Sequence, residues 1–100
     1  MNRNYYIRVL YETFDERYAY PQYCRLNHDM ETAVVRWTAI SQMIEYISKN
    51  DGVSVMEALI SFYRMMLDGK HQAKTKGDNS IFSIGLDITL DAIEIIQSML

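Results

Sequence analysis

The chain has little cysteine, proline, glycine or histidine. Its 100 residues include one cysteine, one proline, four glycines and two histidines. A single cysteine cannot form an internal disulfide, so nothing in the sequence points to secretion. The 49% of hydrophobic residues and the scarcity of proline and glycine exclude a disordered chain. We therefore expect one globular cytoplasmic domain over residues 1–100, with no signal peptide and no membrane span.

No strong charge of either sign is present, but the charges that exist are unevenly placed. The formal net charge is −3. Residues 52–76 carry four bases against two acids, whereas residues 77–100 carry four acids and no base. This pattern predicts a dipolar surface, and it lacks the overall basic character that is typical of nucleic-acid-binding domains.

The C-terminal segment has the clearest pattern. Its apolar residues recur every three or four positions in two rows, which predicts a helix over residues 80–100 that is buried on most sides and central to the fold. Asp87, Asp91 and Glu94 lie on the remaining polar stripe, and their charges exclude a transmembrane helix. The rows are Ile81, Ile84, Ile88, Ala92, Ile95 and Met99, and Phe82, Leu86, Leu90, Ile93, Ile96 and Leu100.

Two further helices precede it. The first is predicted from an N-cap at Asp29 to about Lys49, where Asn50-Asp51-Gly52 ends it. The second is predicted to start after Ser54, which forms a capping box with Glu57, and to stop at Gly69. Its predicted inward face consists of Met56, Leu59, Ile60, Tyr63, Met66 and Leu67. Residues 70–79, with Lys70, Lys74 and Lys76, are then predicted to form a basic surface loop.

The N-terminal quarter favours β-structure. Tyr5, Ile7, Val9 and Tyr11 alternate with other residues, which predicts a strand over residues 4–13. A turn over residues 14–17 would lead into a second extended piece, residues 18–26, whose Pro21 suits an edge strand. The predicted fold is therefore α+β, a β-hairpin packed on three helices. The alternative is an all-α four-helix bundle in which residues 3–18 form the first helix.

The same quarter holds the residues that we predict to contact a partner. Six of the eight tyrosines lie there beside four arginines, and these residue types are enriched in protein interfaces. The predicted set is Arg8, Arg17, Tyr18, Tyr20, Tyr23 and Arg25. A purely structural interpretation is also open, because tyrosine suits sheets and can bury its ring while its hydroxyl stays in water.

Catalytic patterns are weak. Cys24 and His28 are four residues apart, but a nucleophile also needs an orienting group, and a zinc site needs about four ligands. His71 lies among lysines, where it is simply solvated, and the stripe of Asp87, Asp91 and Glu94 matches an ordinary solvent-facing surface. We predict no enzyme, no metal and no cofactor.

The leading functional prediction is a non-enzymatic protein-interaction module. It would be a small regulator or inhibitor of a larger partner, one that handles nucleic acid, as small proteins of mobile elements often do. A homodimer that buries the remainder of the C-terminal helix is a secondary prediction. The alternative function is direct nucleic-acid binding through the tyrosine- and arginine-rich hairpin and the loop of Lys70, Lys74 and Lys76.

Overall fold

Four α-helices make up the regular structure of the described residues. The computed structural model describes residues 3–18 and 30–100. The helices are α1, Arg3–Arg17; α2, Met30–Lys49; α3, Val55–Gln72; and α4, Lys76–Met99. Neither described range contains a strand. The predicted α+β fold with an N-terminal β-hairpin is therefore wrong, and the described residues form an all-α fold.

Residues 3–17 are helical because their buried residues follow the helical period. Leu10 and Phe14, four residues apart, are fully buried, and Tyr6 and Ile7 pack on the core one turn earlier. Arg8 lies on the opposite, exposed side. The β-propensity of the tyrosines is outweighed by this packing, since propensity is a weak preference that tertiary contacts override. The predicted second strand lies, from residue 19 onward, outside the described residues.

Helix α2 agrees with its prediction. It begins at Met30, directly after the predicted cap, and it ends at Lys49. Ala33, Ile40, Met43 and Ile47 are buried, as their spacing indicates. The guanidinium of Arg3 closes the end of this helix, because it donates hydrogen bonds to the carbonyl oxygens of Ile47, Asn50 and Val53. These bonds satisfy carbonyls that no helical N–H can reach.

The segment between α3 and α4 is much shorter than predicted. Helix α3 starts at the predicted cap, where the Ser54 hydroxyl accepts from the Glu57 N–H at 3.1 Å. It then continues through Gly69 to Gln72. Helix α4 begins after Thr75, whose hydroxyl accepts from the Asp78 N–H at 3.0 Å. The predicted ten-residue basic loop is thus wrong, and residues 73–75 alone connect the two helices.

Two glycines allow α3 and α4 to approach closely. A Cβ atom at Gly69 would lie 2.6 Å from Cζ of Phe82, and one at Gly85 would lie 2.9 Å from Sδ of Met66. Advancing three residues along α3, from Met66 to Gly69, moves the contact back by three residues along α4. The helices are therefore antiparallel, and their contact is the most extensive in the fold.

All four helices share one hydrophobic core, and α4 contacts each of the other three, as predicted. Helix α2 lies beside α3, with the Tyr46 and Phe62 rings 5.4 Å apart. The large side chains that are fully buried are Phe14, Leu10, Ile40, Met43, Ile47, Leu59, Ile96 and Thr89. Burial of α4 is less complete than its sequence suggests, because Ile81 and Leu90 remain 49% and 44% exposed.

Candidate interaction surfaces

The outward side of α1 presents aromatic and cationic side chains together. Tyr5 and Tyr11 are 39% and 54% exposed. The Arg8 guanidinium lies 5.5 Å from the Tyr5 ring centroid, within the range of a cation–π contact. Arg8 also lies 3.9 Å from Glu12, a weak contact because both side chains are solvated. We call Tyr5, Arg8 and Tyr11 the α1 face.

Tyr18, one of the predicted partner-binding residues, is engaged within the fold. Its ring stacks on Phe14 with centroids 6.1 Å apart, and the Arg36 guanidinium lies 4.8 Å from its centroid. The Trp37 indole N–H donates to the Tyr18 carbonyl oxygen at 2.6 Å, and the Tyr18 hydroxyl donates to Asp91 at 3.4 Å. Tyr18 therefore joins α1, α2 and α4, and little of it is available to a partner.

The environment of the Tyr18 hydroxyl also changes its acidity. Burial raises the pKa of Tyr18, and the nearby Asp91 carboxylate raises it further, because both disfavour a second negative charge. Arg36 lowers the pKa of Tyr18, but by less than burial and Asp91 raise it. The proton that links α1 to α4 is thus held more firmly than in free tyrosine.

The other predicted contact residues are only partly placed. Arg17 is exposed at the end of α1, nine residues from Arg8 and hence about 13 Å from it along the helix axis. Tyr20, Tyr23 and Arg25 lie outside the described residues, as do Cys24 and His28. The structure thus leaves Arg8 and Arg17 exposed on α1, about two and a half turns apart and therefore on opposite sides of the helix.

The predicted basic cluster lies at the turn between α3 and α4. Lys70 is half-buried in the last turn of α3, while Lys74 and Lys76 are exposed. Lys74 lines an open cleft of about 330 Å³ together with Asp78 and Phe82. Because Asp78 shares this cleft, the positive charge of the lysines is partly offset.

The acidic stripe of α4 is mainly a solvent-facing surface, as predicted. Asp87 and Glu94 are exposed, and Asp91 is the exception because it accepts the hydrogen bond from Tyr18. In the part of the chain that the structure describes, no group of three or more His, Cys, Asp or Glu side chains is arranged to hold a metal ion. The predicted absence of a cofactor stays a prediction.

Sequence reasoning missed one surface. Helices α3 and α4 carry parallel rows of partly exposed apolar residues, in which Ile60 and Leu90 are 39% and 44% exposed. The row on α3 was predicted to face inward. We call this surface the outer strip: Met56, Ile60, Tyr63 and Leu67 on α3, and Leu90 and Ile93 on α4. Its signal in the sequence is the spacing of four, three and four residues, which is the same as that of a core-facing row.

The described residues define an all-α domain, and none of their helices has the length and hydropathy needed to cross a bilayer. Comparison of the chain with protein-family models, with curated proteins and with solved structures finds no match.

Proposed function

We propose that this chain is a non-enzymatic protein-interaction module, a small regulator or inhibitor that binds a larger protein involved in nucleic-acid handling. The observation that carries the proposal is the α1 face, where Tyr5, Arg8 and Tyr11 are exposed on one rigid helix. Tyrosine and arginine dominate the binding energy of many interfaces. A helix that is already folded loses little conformational entropy on binding. The single cysteine supports a cytoplasmic location for this activity.

Affinity capture from the native cell tests the proposal. A variant with Arg8→Ala and Tyr11→Ala should lose the proteins that the wild type captures, as measured by quantitative mass spectrometry. Lys49→Ala and Met65→Ala, at exposed positions of α2 and α3, provide a control away from both the α1 face and the outer strip. Circular dichroism should show that both variants stay folded, since Arg8 and Tyr11 are exposed. Capture of identical proteins by all forms would refute this use of the α1 face.

Direct nucleic-acid binding is the second candidate function, supported by the position of Lys70, Lys74 and Lys76 around one turn. Contacts of lysine with phosphates release counterions, so binding to a single-stranded oligonucleotide should weaken steeply with added salt. At low salt, the double variant Lys74→Ala/Lys76→Ala should bind the oligonucleotide more weakly than the wild type. The absence of any oligonucleotide shift at low salt would end this candidate.

Self-association competes with binding to a different protein. Its support is the incomplete burial of α4, which leaves Ile81 and Leu90 about half exposed. Light scattering at high micromolar concentration should give twice the chain mass of 11.8 kDa if a homodimer forms. A mass equal to that of one chain would rule out the homodimer.

A further inference from the structure

The outer strip spans α3 and α4, and the contacts between these two helices set its register. Gly69 of α3 lies against Phe82 of α4, and Met66 lies against Gly85. For every residue counted back toward the start of α3, the residue at the same height on α4 is therefore one position later in the sequence. By this count, Ile60 lies level with Asp91 and within one residue of the height of Leu90. By the same count, Glu57 lies level with Glu94. The two most exposed residues of the strip are thus at nearly the same height along the helix pair.

The strip faces away from the other two helices. Phe62 and Met65 lie on the side of α3 that faces α2, where they line a cleft with Tyr46. On α4, Asp91 lies on the side that faces α1. Given 100° of rotation per residue, Ile60 lies about 160° from Phe62 around α3, and Leu90 lies about 100° from Asp91 around α4. The exposure of Ile60 and Leu90, 39% and 44%, shows that α1 and α2 leave these two residues of the strip uncovered.

The charges beside the strip are mainly negative. Glu57 follows Met56 at the start of α3, and Asp87 and Glu94 lie one turn to either side of Leu90. All three carboxylates are exposed, and among the described residues Arg64 is the one basic residue next to the centre of the strip. Among the described residues, none of these three carboxylates forms an ion pair.

We infer that the outer strip is a docking site for an amphipathic helix whose apolar residues are flanked by lysine or arginine. The apolar rows match the face of such a helix, which anchors through residues spaced three and four apart. Glu57, Asp87 and Glu94 would meet its basic side chains, and this complementarity selects it over a neutral or acidic helix. Helix α3 is about 27 Å long, which accommodates a partner helix of about 18 residues. This site lies apart from the α1 face and does not depend on it.

A second copy of the chain fits the strip poorly. Two copies would bring together two sets of Glu57, Asp87 and Glu94, with one Arg64 each to offset them. Juxtaposed like charges oppose association. A partner with basic side chains removes this repulsion, so charge distinguishes the two occupants.

A pair of synthetic peptides tests the inference on the full chain. Both are helices of about 18 residues with the same leucine face. One carries lysine on its remaining positions and the other carries glutamate. Fluorescence anisotropy should show binding of the lysine peptide and at least about tenfold weaker binding of the glutamate peptide.

Matched variants locate the binding site. Ile60→Ser and Leu90→Ser should each weaken binding of the lysine peptide about tenfold. Met65→Ser and Ile81→Ser are controls on the same two helices, because both residues are 49% exposed but lie outside the strip. Circular dichroism and thermal unfolding should confirm that all four variants fold, since each replaces a solvent-exposed side chain.

A charge reversal tests the choice of occupant. Asp87→Lys with Glu94→Lys should weaken the lysine peptide and strengthen the glutamate peptide. Glu12→Lys with Asp15→Lys changes the net charge equally on the exposed side of α1 and should have little effect. Equal binding of the two peptides, equal losses in strip and control variants, or a dimeric mass that Leu90→Ser abolishes would each overturn the inference. Because these measurements do not involve the α1 face, their failure leaves the capture experiment with Arg8 and Tyr11 unaffected.

Discussion

Replacement of Gly69 by alanine tests whether close packing, rather than helix termination, explains this glycine. Gly69 lies within α3, three residues before its end, and the Phe82 ring of α4 occupies the space where a side chain would begin. A Cβ atom there would lie 2.6 Å from Cζ and 2.8 Å from Cδ1 of the ring. The ring or one of the helices must therefore move.

The expected magnitude follows from two opposing effects. Alanine in a helix interior is favoured over glycine by about 1 kcal/mol. Overpacking of a close contact costs about 1–3 kcal/mol. We therefore expect Gly69→Ala to lower the free energy of unfolding by about 1 kcal/mol, which corresponds to a fall in Tm of about 4–8 °C in a domain of this size.

Gly77→Ala is the matched control. Gly77 lies in the first turn of α4, and the nearest atom to an added Cβ, the Thr75 hydroxyl oxygen, is 3.9 Å away. This variant should gain up to about 1 kcal/mol, because helix propensity improves without a clash. Urea unfolding followed by circular dichroism should rank Gly77→Ala above the wild type and Gly69→Ala below it.

A double variant identifies the cause. Phe82→Leu removes part of the ring, so Gly69→Ala should cost less in this background than in the wild type, which is the signature of a direct contact. Equal stability of Gly69→Ala and Gly77→Ala would refute the reasoning, and so would a cost that does not depend on Phe82.

Three further predictions concern hydrogen bonds between helices and at their ends. Thr75→Ala should lower the free energy of unfolding by about 1 kcal/mol in urea titrations, because α4 loses its N-cap; Thr75→Ser should retain most of it. Arg3→Ala should cost about 2 kcal/mol, measured the same way, since three carbonyls at the end of α2 lose a charged donor; a neutral effect would contradict the capping role. Because the pKa of Tyr18 is raised on folding, its contribution to stability is complete below the pKa of free tyrosine and is lost as the pH rises through the folded value. Tyr18→Phe should therefore reduce the loss of stability at alkaline pH, and an unchanged alkaline profile would show that the tyrosine proton does not link to folding.

Much of the helical structure in the later part of the chain could be predicted from local patterns. The Ser54 cap is a feature of a few neighbouring residues, and the structure confirms it. The early start of α4 also had a local signal, because Thr75 is followed three residues later by Asp78. The Thr75 hydroxyl oxygen accepts a hydrogen bond from the Asp78 N–H. The basic composition of residues 70–76 obscured that signal.

The candidate sites were less predictable. Arg8 was identified from residue type alone, and its exposure on α1 agrees with a contact role. Tyr18 was grouped with it, but stacking on Phe14 and contacts with α2 and α4 engage it within the fold. The outer strip was missed because Ile60 and Leu90 have the same spacing as residues of the core.

Local sequence patterns account for the helical period of α2, α3 and α4, for the Ser54 cap of α3 and for the uneven charge, since these depend on residues within a few positions of one another. Tertiary structure decided that residues 3–17 form a helix, because Leu10 and Phe14 gain more from burial in the shared core than the tyrosines gain from a strand. It also decided that Gly69 lies in a helix interior and that Ile60 and Leu90 remain exposed. Those outcomes depend on which helices lie side by side, and periodicity along a single segment does not specify its neighbours.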